Sequence, residues 1–159
     1  MIIDNEKLLA TLKDLPEIIE TYFRNIPEDI LDKKRNETSW TIREHLYHIA
    51  DVQEMLYARI LKIRNEENPI ITPYFPENES KQVSQYESVH KALTHYKAIR
   101  EKQILLINQL TESDFAKDAK HNEYMKYNIP IIINHMIFHE YWHMYRIEEI
   151  WLTRDEYFS

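Results

Sequence analysis

The chain has no glycine among its 159 residues. Glycine supplies the backbone freedom for tight hairpin turns, phosphate-cradling loops and many helix C-caps, so its absence disfavours an all-β fold, a Rossmann fingerprint and a P-loop together. There is no cysteine either, which excludes disulfides, zinc ribbons and a thiol nucleophile of the protein's own and is compatible with a reducing compartment. Positive charge is scarce: 20 Lys and Arg face 27 Asp and Glu, a formal charge of −7. No basic patch interleaved with aromatics is present of the kind that phosphate binding needs. No window approaches the roughly 18 apolar residues of a membrane span, and the start Met1-Ile2-Ile3-Asp4-Asn5-Glu6 lacks a cationic stretch followed by an apolar run. These absences lead us to expect a helical, cytoplasmic protein with neither a nucleic-acid nor a membrane partner.

The length suits one domain, residues 1–159, large enough to bury a core without staples. Four segments carry apolar residues at helical spacing. Asp4 or Asn5 can cap the first, which holds Leu8, Leu9, Leu12, Leu15, Ile18, Ile19, Tyr22 and Phe23, with a kink or early break expected at Pro16. A polar connection follows, with one short turn at Glu28–Leu31 and a charge run, Asp32-Lys33-Lys34-Arg35, expected as a solvated surface. Thr41 and Glu44 form a capping box behind Trp40, a candidate staple, and open a second helix with Ile42, Leu46, Ile49, Val52, Leu56, Ile60 and Ile63 as its stripe. Ser84 and Glu87 suit the start of a third helix whose apolar side is Val89, Leu93, Tyr96, Ile99, Ile104, Leu105, Ile107 and Leu110. After a second long connection with a turn at Glu112–Phe115, Pro130 suits the first turn of a last helix running to about Arg154. The fold expected is all-α: a four-helix bundle with a long crossover between helices 2 and 3, giving an up-down-down-up path.

The last helix carries His135, His139 and His143, each four residues after the one before. At about 100° per residue all three share one face, together with Ile132, Ile147 and Ile150. Imidazoles where Leu or Ile would pack are destabilising unless the ring nitrogens find partners. A divalent metal is one such partner, backbone carbonyls and tyrosines another. Random placement of histidines at this frequency would give about 0.4 pairs at any fixed spacing, so two pairs at the helical spacing of four is an excess. His139-Glu140-Tyr141-Trp142-His143 also matches H-E-x-x-H, two zinc ligands with a glutamate base. No histidine follows His143, and Glu148 and Glu149 lie too close along the same helix to close a coordination sphere, so a third ligand has to come from elsewhere. The second helix offers His45 and His48. His90 and His95, five apart, read as ordinary helix histidines.

Two stretches carry a family resemblance. Trp40-Thr41-Ile42-Arg43-Glu44-His45-Leu46-Tyr47-His48-Ile49-Ala50-Asp51 looks like the W-[ST]-x-x-E-x-x-x-H-[LI]-x-[DE] helix start of the DinB-like (DinB/YfiT-like) four-helix-bundle metalloproteins, and His139–His143 looks like their C-terminal H-x-x-x-H. Helix order, the long second connection and the His121 region agree as well. The resemblance implies His48, His139 and His143 as metal ligands. The chain departs from the family's pattern at Glu123–Asn128, where a Gly-containing turn is common, and at Arg146, where Gln is common.

The resemblance further implies a divalent transition metal (Zn, Ni, Fe or Mn) and a small-molecule substrate. The activity it implies is that of a thiol-dependent S-transferase using a low-molecular-weight thiol. The alternatives are a metal-dependent hydrolase and a non-catalytic dimeric stress or binding protein. Glu140 is the candidate catalytic base or ligand-orienting group, with a solvated surface glutamate as the other reading. His45 and His135 flank the implied ligands as orienting or packing residues. Homodimer formation is expected from the family, with Trp151, Tyr157 and Phe158 as candidate contacts.

Overall fold

The computed structural model of the chain describes residues 5–73 and 86–157. Helix α1 spans Asn5–Arg24, α2 Ile42–Asn65, α3 Val89–Ile107, the short α4 Glu112–Ala116, and α5 Ile129–Leu152. A 3-10 turn at Glu28–Ile30 follows α1, and a second, Asp155–Tyr157, follows α5. Two strands of two residues each, β1 (Ile70–Ile71) and β2 (Lys120–His121), pair in parallel and tie the two long connections together.

Contacts between helices give the chain path. Asp51, Gln53 and Arg64 of α2 bond to Tyr86, Arg100 and Gln109 in and around α3, so the two run parallel. His45, His48 and Gln53 of α2 meet His143, His139 and Glu140 of α5, which makes that pair antiparallel. Glu20 pairs with Lys97 while the Leu12 carbonyl meets Arg100, so α1 and α3 are antiparallel as well. The result is the expected up-down-down-up four-helix bundle.

The helix starts follow local chemistry. Thr41 accepts from Glu44 N at 3.1 Å while the Glu44 carboxylate accepts from Thr41 N at 2.7 Å, closing the capping box read from the sequence. Thr41→Ala is expected to lower stability by about 1 kcal/mol in a denaturant titration. Asn128 caps α5, with Pro130 in its first turn. Helix α3 begins later than its expected cap. Ser88, in extended backbone, accepts from Lys91 N at 3.2 Å, whereas Ser84, like Asp4, lies outside the described residues.

Pro16 does not break α1, which is continuous across it. Proline leaves the carbonyl four residues earlier without its helical donor. That carbonyl belongs to Leu12, and Arg100 Nη1 reaches it at 3.5 Å from α3. The charge run is not merely solvated: Arg43 binds Asp32 through two nitrogens, Lys33 binds Asp155, and Arg35 binds Glu149. Such exposed pairs are each worth at most about 1 kcal/mol, and here they hold the first connection against α2 and the C-terminal turn. Of the aromatics expected at a dimer contact, Trp151 packs edge-on against Tyr22, Tyr157 is exposed, and Phe158 lies outside the described residues.

The buried positions step by three and four: Ile42, Leu46, Ile49, Gln53, Leu56, Ile60 and Ile63 on α2, and Ile129, Ile133, Met136, Glu140, His143, Ile147 and Ile150 on α5. This is the seam of helices packed at small crossing angles. Leu105, expected on the apolar side of α3, is exposed, because the buried seam there runs through Leu93, Tyr96, Arg100, Gln103 and Ile107. Two apolar clusters result. One holds Leu12, Leu56, Leu106 and Met136, the other Ile19, Leu46, Leu93 and Ile147.

Candidate metal centre

Between the two apolar clusters the seam turns polar. Glu140, fully buried, accepts from Gln53 Nε2 at 3.0 Å, from Tyr96 OH at 2.8 Å and from Arg100 Nη2. Gln53 Oε1 in turn accepts from Arg100 Nη2 at 3.1 Å and Gln103 Nε2 at 3.2 Å. Burial raises the Glu140 pKa against the pull of Arg100, Tyr96 and Gln53, and burial likewise drives the Tyr96 hydroxyl well above its usual range. Glu140 is therefore no solvated surface glutamate. Its hydrogen bonds run to the bundle interior, and none of those described goes to a histidine.

One turn along the bundle, α2 and α5 bring histidines face to face. His48 Nε2 lies 3.1 Å from His139 Nε2, and His143 Nε2 lies 3.1 Å from the same atom. The three residues offer nitrogens that all fall within 4.8 Å of one another. His45 Nδ1 meets His143 Nδ1 at 2.7 Å. His135 stacks on His139 at 5.7 Å with planes 18° apart, and it stands outside the group of three. Burial lowers every one of these imidazoles, His45 and His48 to about 4 and His139 to about 3, with His143 also pushed down. At neutral pH all are uncharged, so each ring keeps one lone pair.

Metal–imidazole bonds of about 2.0–2.1 Å place adjacent nitrogens of an octahedral or tetrahedral sphere about 2.8–3.4 Å apart. The observed 3.1 Å contacts match that spacing. Hydrogen bonds serve the cluster less well. A neutral imidazole has one N–H and one in-plane lone pair, so His139 Nε2 cannot satisfy both neighbours, and His139 Nδ1 is buried without a hydrogen-bond partner among the described residues. The donor set fits a divalent cation.

Trp40, read from the sequence as a staple, forms a wall of this cluster. Its ring stacks on His143 at 5.8 Å and meets His48 edge-on at 4.8 Å. Trp142 meets His143 edge-on at 4.8 Å. Arg146 lies over the Trp142 ring and pairs with Glu149. Of the polar residues between the clusters, the sequence marks Glu140 alone, as a candidate base; Gln53 and Arg100 carry no motif, although each stands at a seam position where an apolar residue would be expected.

A family model described as the DinB superfamily matches residues 11–151, a span that contains every residue of the cluster. The chain belongs to the DinB superfamily. The solved structure of YfiT from Bacillus subtilis superposes with a TM-score of 0.80 at 21% identity, covering 91% of this chain and 84% of that one; it is described as "a probable metal-dependent hydrolase with an unusual four-helix bundle topology". A "Putative metal-dependent hydrolase" of Oceanobacillus iheyensis is 27% identical over 113 residues, which are 70% of this chain and 65% of that protein's length. A second from the same organism is 26% identical over 149 residues, 87% of this chain and 86% of its own length. This DinB chain thus spans about two thirds of one relative and most of the other. No described helix is long and apolar enough to cross a membrane.

Proposed function

We propose that His48, His139 and His143 hold a divalent transition metal and that the protein is a metal-dependent hydrolase of small molecules. The observation that carries the reading is the convergence of three uncharged ring nitrogens, two of their separations at 3.1 Å, contributed by two antiparallel helices. The names of the Oceanobacillus and Bacillus relatives support it. Three protein ligands leave coordination positions open, and a bound ion would supply Lewis acidity and lower the pKa of a water molecule there. Zinc, nickel, iron and manganese all suit imidazole, so supply decides among them.

The chain's own residues define the rest. The α5 pair His139 and His143 forms one side of the site, and His48 closes it from α2. Trp40 and Trp142 cover His143, which keeps bulk water from that side of the donor set. Glu140, a candidate base on sequence grounds, belongs in this reading to the anchoring of α5, since both its oxygens are already hydrogen-bonded to Gln53, Arg100 and Tyr96.

Elemental analysis of protein from metal-replete cells tests the reading. Near-stoichiometric transition metal is expected in the wild type and its loss in His139→Ala; a metal-free wild type would sink the proposal. Hydrolysis of an activated ester or amide should then follow metal content without added thiol. Turnover that requires a small thiol would instead assign the centre to thiol transfer.

A further inference from the structure

We propose that His45 is a positioning residue for His143: its Nδ1 accepts a hydrogen bond from His143 Nδ1–H and so presents the Nε2 lone pair of His143 to the metal. The inference rests on the metal reading above. The two Nδ1 atoms are 2.7 Å apart and buried, so one must donate and the other accept. A neutral imidazole carries a single N–H. If His143 donates, its Nε2 is bare and stands 3.1 Å from His139 Nε2, which is itself 3.1 Å from His48 Nε2. If His45 donates, the His143 proton sits on Nε2, 3.1 Å from His139 Nε2, and no lone pair is left there for an ion. The direction of one hydrogen bond therefore decides whether three lone pairs converge or two.

Local structure holds this contact in place. The capping box fixes the start of α2, and His45 N closes the first helical turn on Thr41 O at 3.1 Å. One turn before His48, the His45 ring packs against Trp40 at 5.4 Å and against the edge of Trp142 at 6.2 Å. The same two indoles contact His143, so both imidazoles are packed against the same pair of rings. Among the described residues, His143 has such a partner while His139 Nδ1 has none. Groups that orient a ligating histidine through its remote nitrogen commonly govern metal affinity by 10–100-fold, on the order of what a missing ligand orientation costs.

The test uses the full chain with zinc as the probe. His45→Phe keeps an aromatic ring and removes the acceptor; His45→Asn restores an oxygen acceptor close to the Nδ1 position. Competition against a chromophoric chelator is expected to show about 10–100-fold weaker zinc binding in His45→Phe and recovery of most of that loss in His45→Asn. Nitrogen-15 NMR of the metal-free wild type at neutral pH is expected to place the His143 proton on Nδ1. Zinc binding by a folded His45→Phe as tight as wild type overturns the proposal, as does a His143 proton on Nε2. Should His45→Phe fail to fold, the wild-type NMR and the His45→Asn titration decide the matter. A wild type that takes up no zinc overturns the metal reading, and the NMR readout still settles the direction of the hydrogen bond independently.

Discussion

Glu140→Ala is expected to lower the unfolding free energy by about 3–5 kcal/mol, because it leaves the Arg100 guanidinium buried without a counter-charge. Both groups are almost fully inside the bundle, with Arg100 1% exposed. Substitution also strips Tyr96 OH and Gln53 Nε2 of an acceptor. For a domain of this size the shift in Tm should be roughly 6–20 °C. Replacing the pair together, Glu140→Leu with Arg100→Met, should recover much of the loss, since paired charges in a core are worth little beyond a well-packed apolar pair. Urea titrations of the single and double variants check this. A single variant within about 1 kcal/mol of wild type would show that the polar layer relaxes or hydrates freely, contrary to its burial.

The second large effect is acid sensitivity of the metal-free protein. In the folded chain His45 and His48 titrate at about 4 and His139 at about 3, against an ordinary value near 6.5. Between those limits the unfolded chain binds more protons than the folded one, so stability rises with pH. Stability is therefore complete above about pH 6.5 and falls as the pH drops toward about 4, each histidine contributing up to about 1.4 kcal/mol per pH unit. Several such groups acting together should unfold the metal-free bundle well before its carboxylates protonate. Thermal melts with a chelator across this pH range provide the measurement, and His48→Leu should reduce the slope by close to one proton. A wild-type Tm that stays flat between pH 6.5 and 4 would contradict the burial of these rings.

Much of the architecture could be read from residue types alone, because its signals are local. Thr41 with Glu44 marks a helix start through two hydrogen bonds three residues apart, and Pro130 tolerates the first turn because it needs no donor there. The behaviour of Pro16 could not be read this way. Its effect depends on Arg100, a donor 88 residues from the Leu12 carbonyl it serves. The same holds for the polar layer: Gln53, Arg100 and Glu140 stand in seam positions, but only the packed bundle pairs them. Spacing alone makes the apolar side of α3 too wide, since Leu105 follows the helical period yet faces outward. The strands β1 and β2 are two residues each, too short for any alternating pattern. At the histidine cluster, spacing along α5 is legible as a shared face, whereas the choice between His45 and His48 needs the family pattern or the fold.

The antiparallel meeting of α2 and α5 has a further consequence. His48 and His139 are 91 residues apart in the chain. An ion gripping both would act as a cross-link between distant parts of the polymer, reducing the freedom of the unfolded ensemble much as a covalent bridge of that span does. A chain that has no cysteine would thereby gain a reversible staple, opened by a chelator or by acid rather than by a reductant.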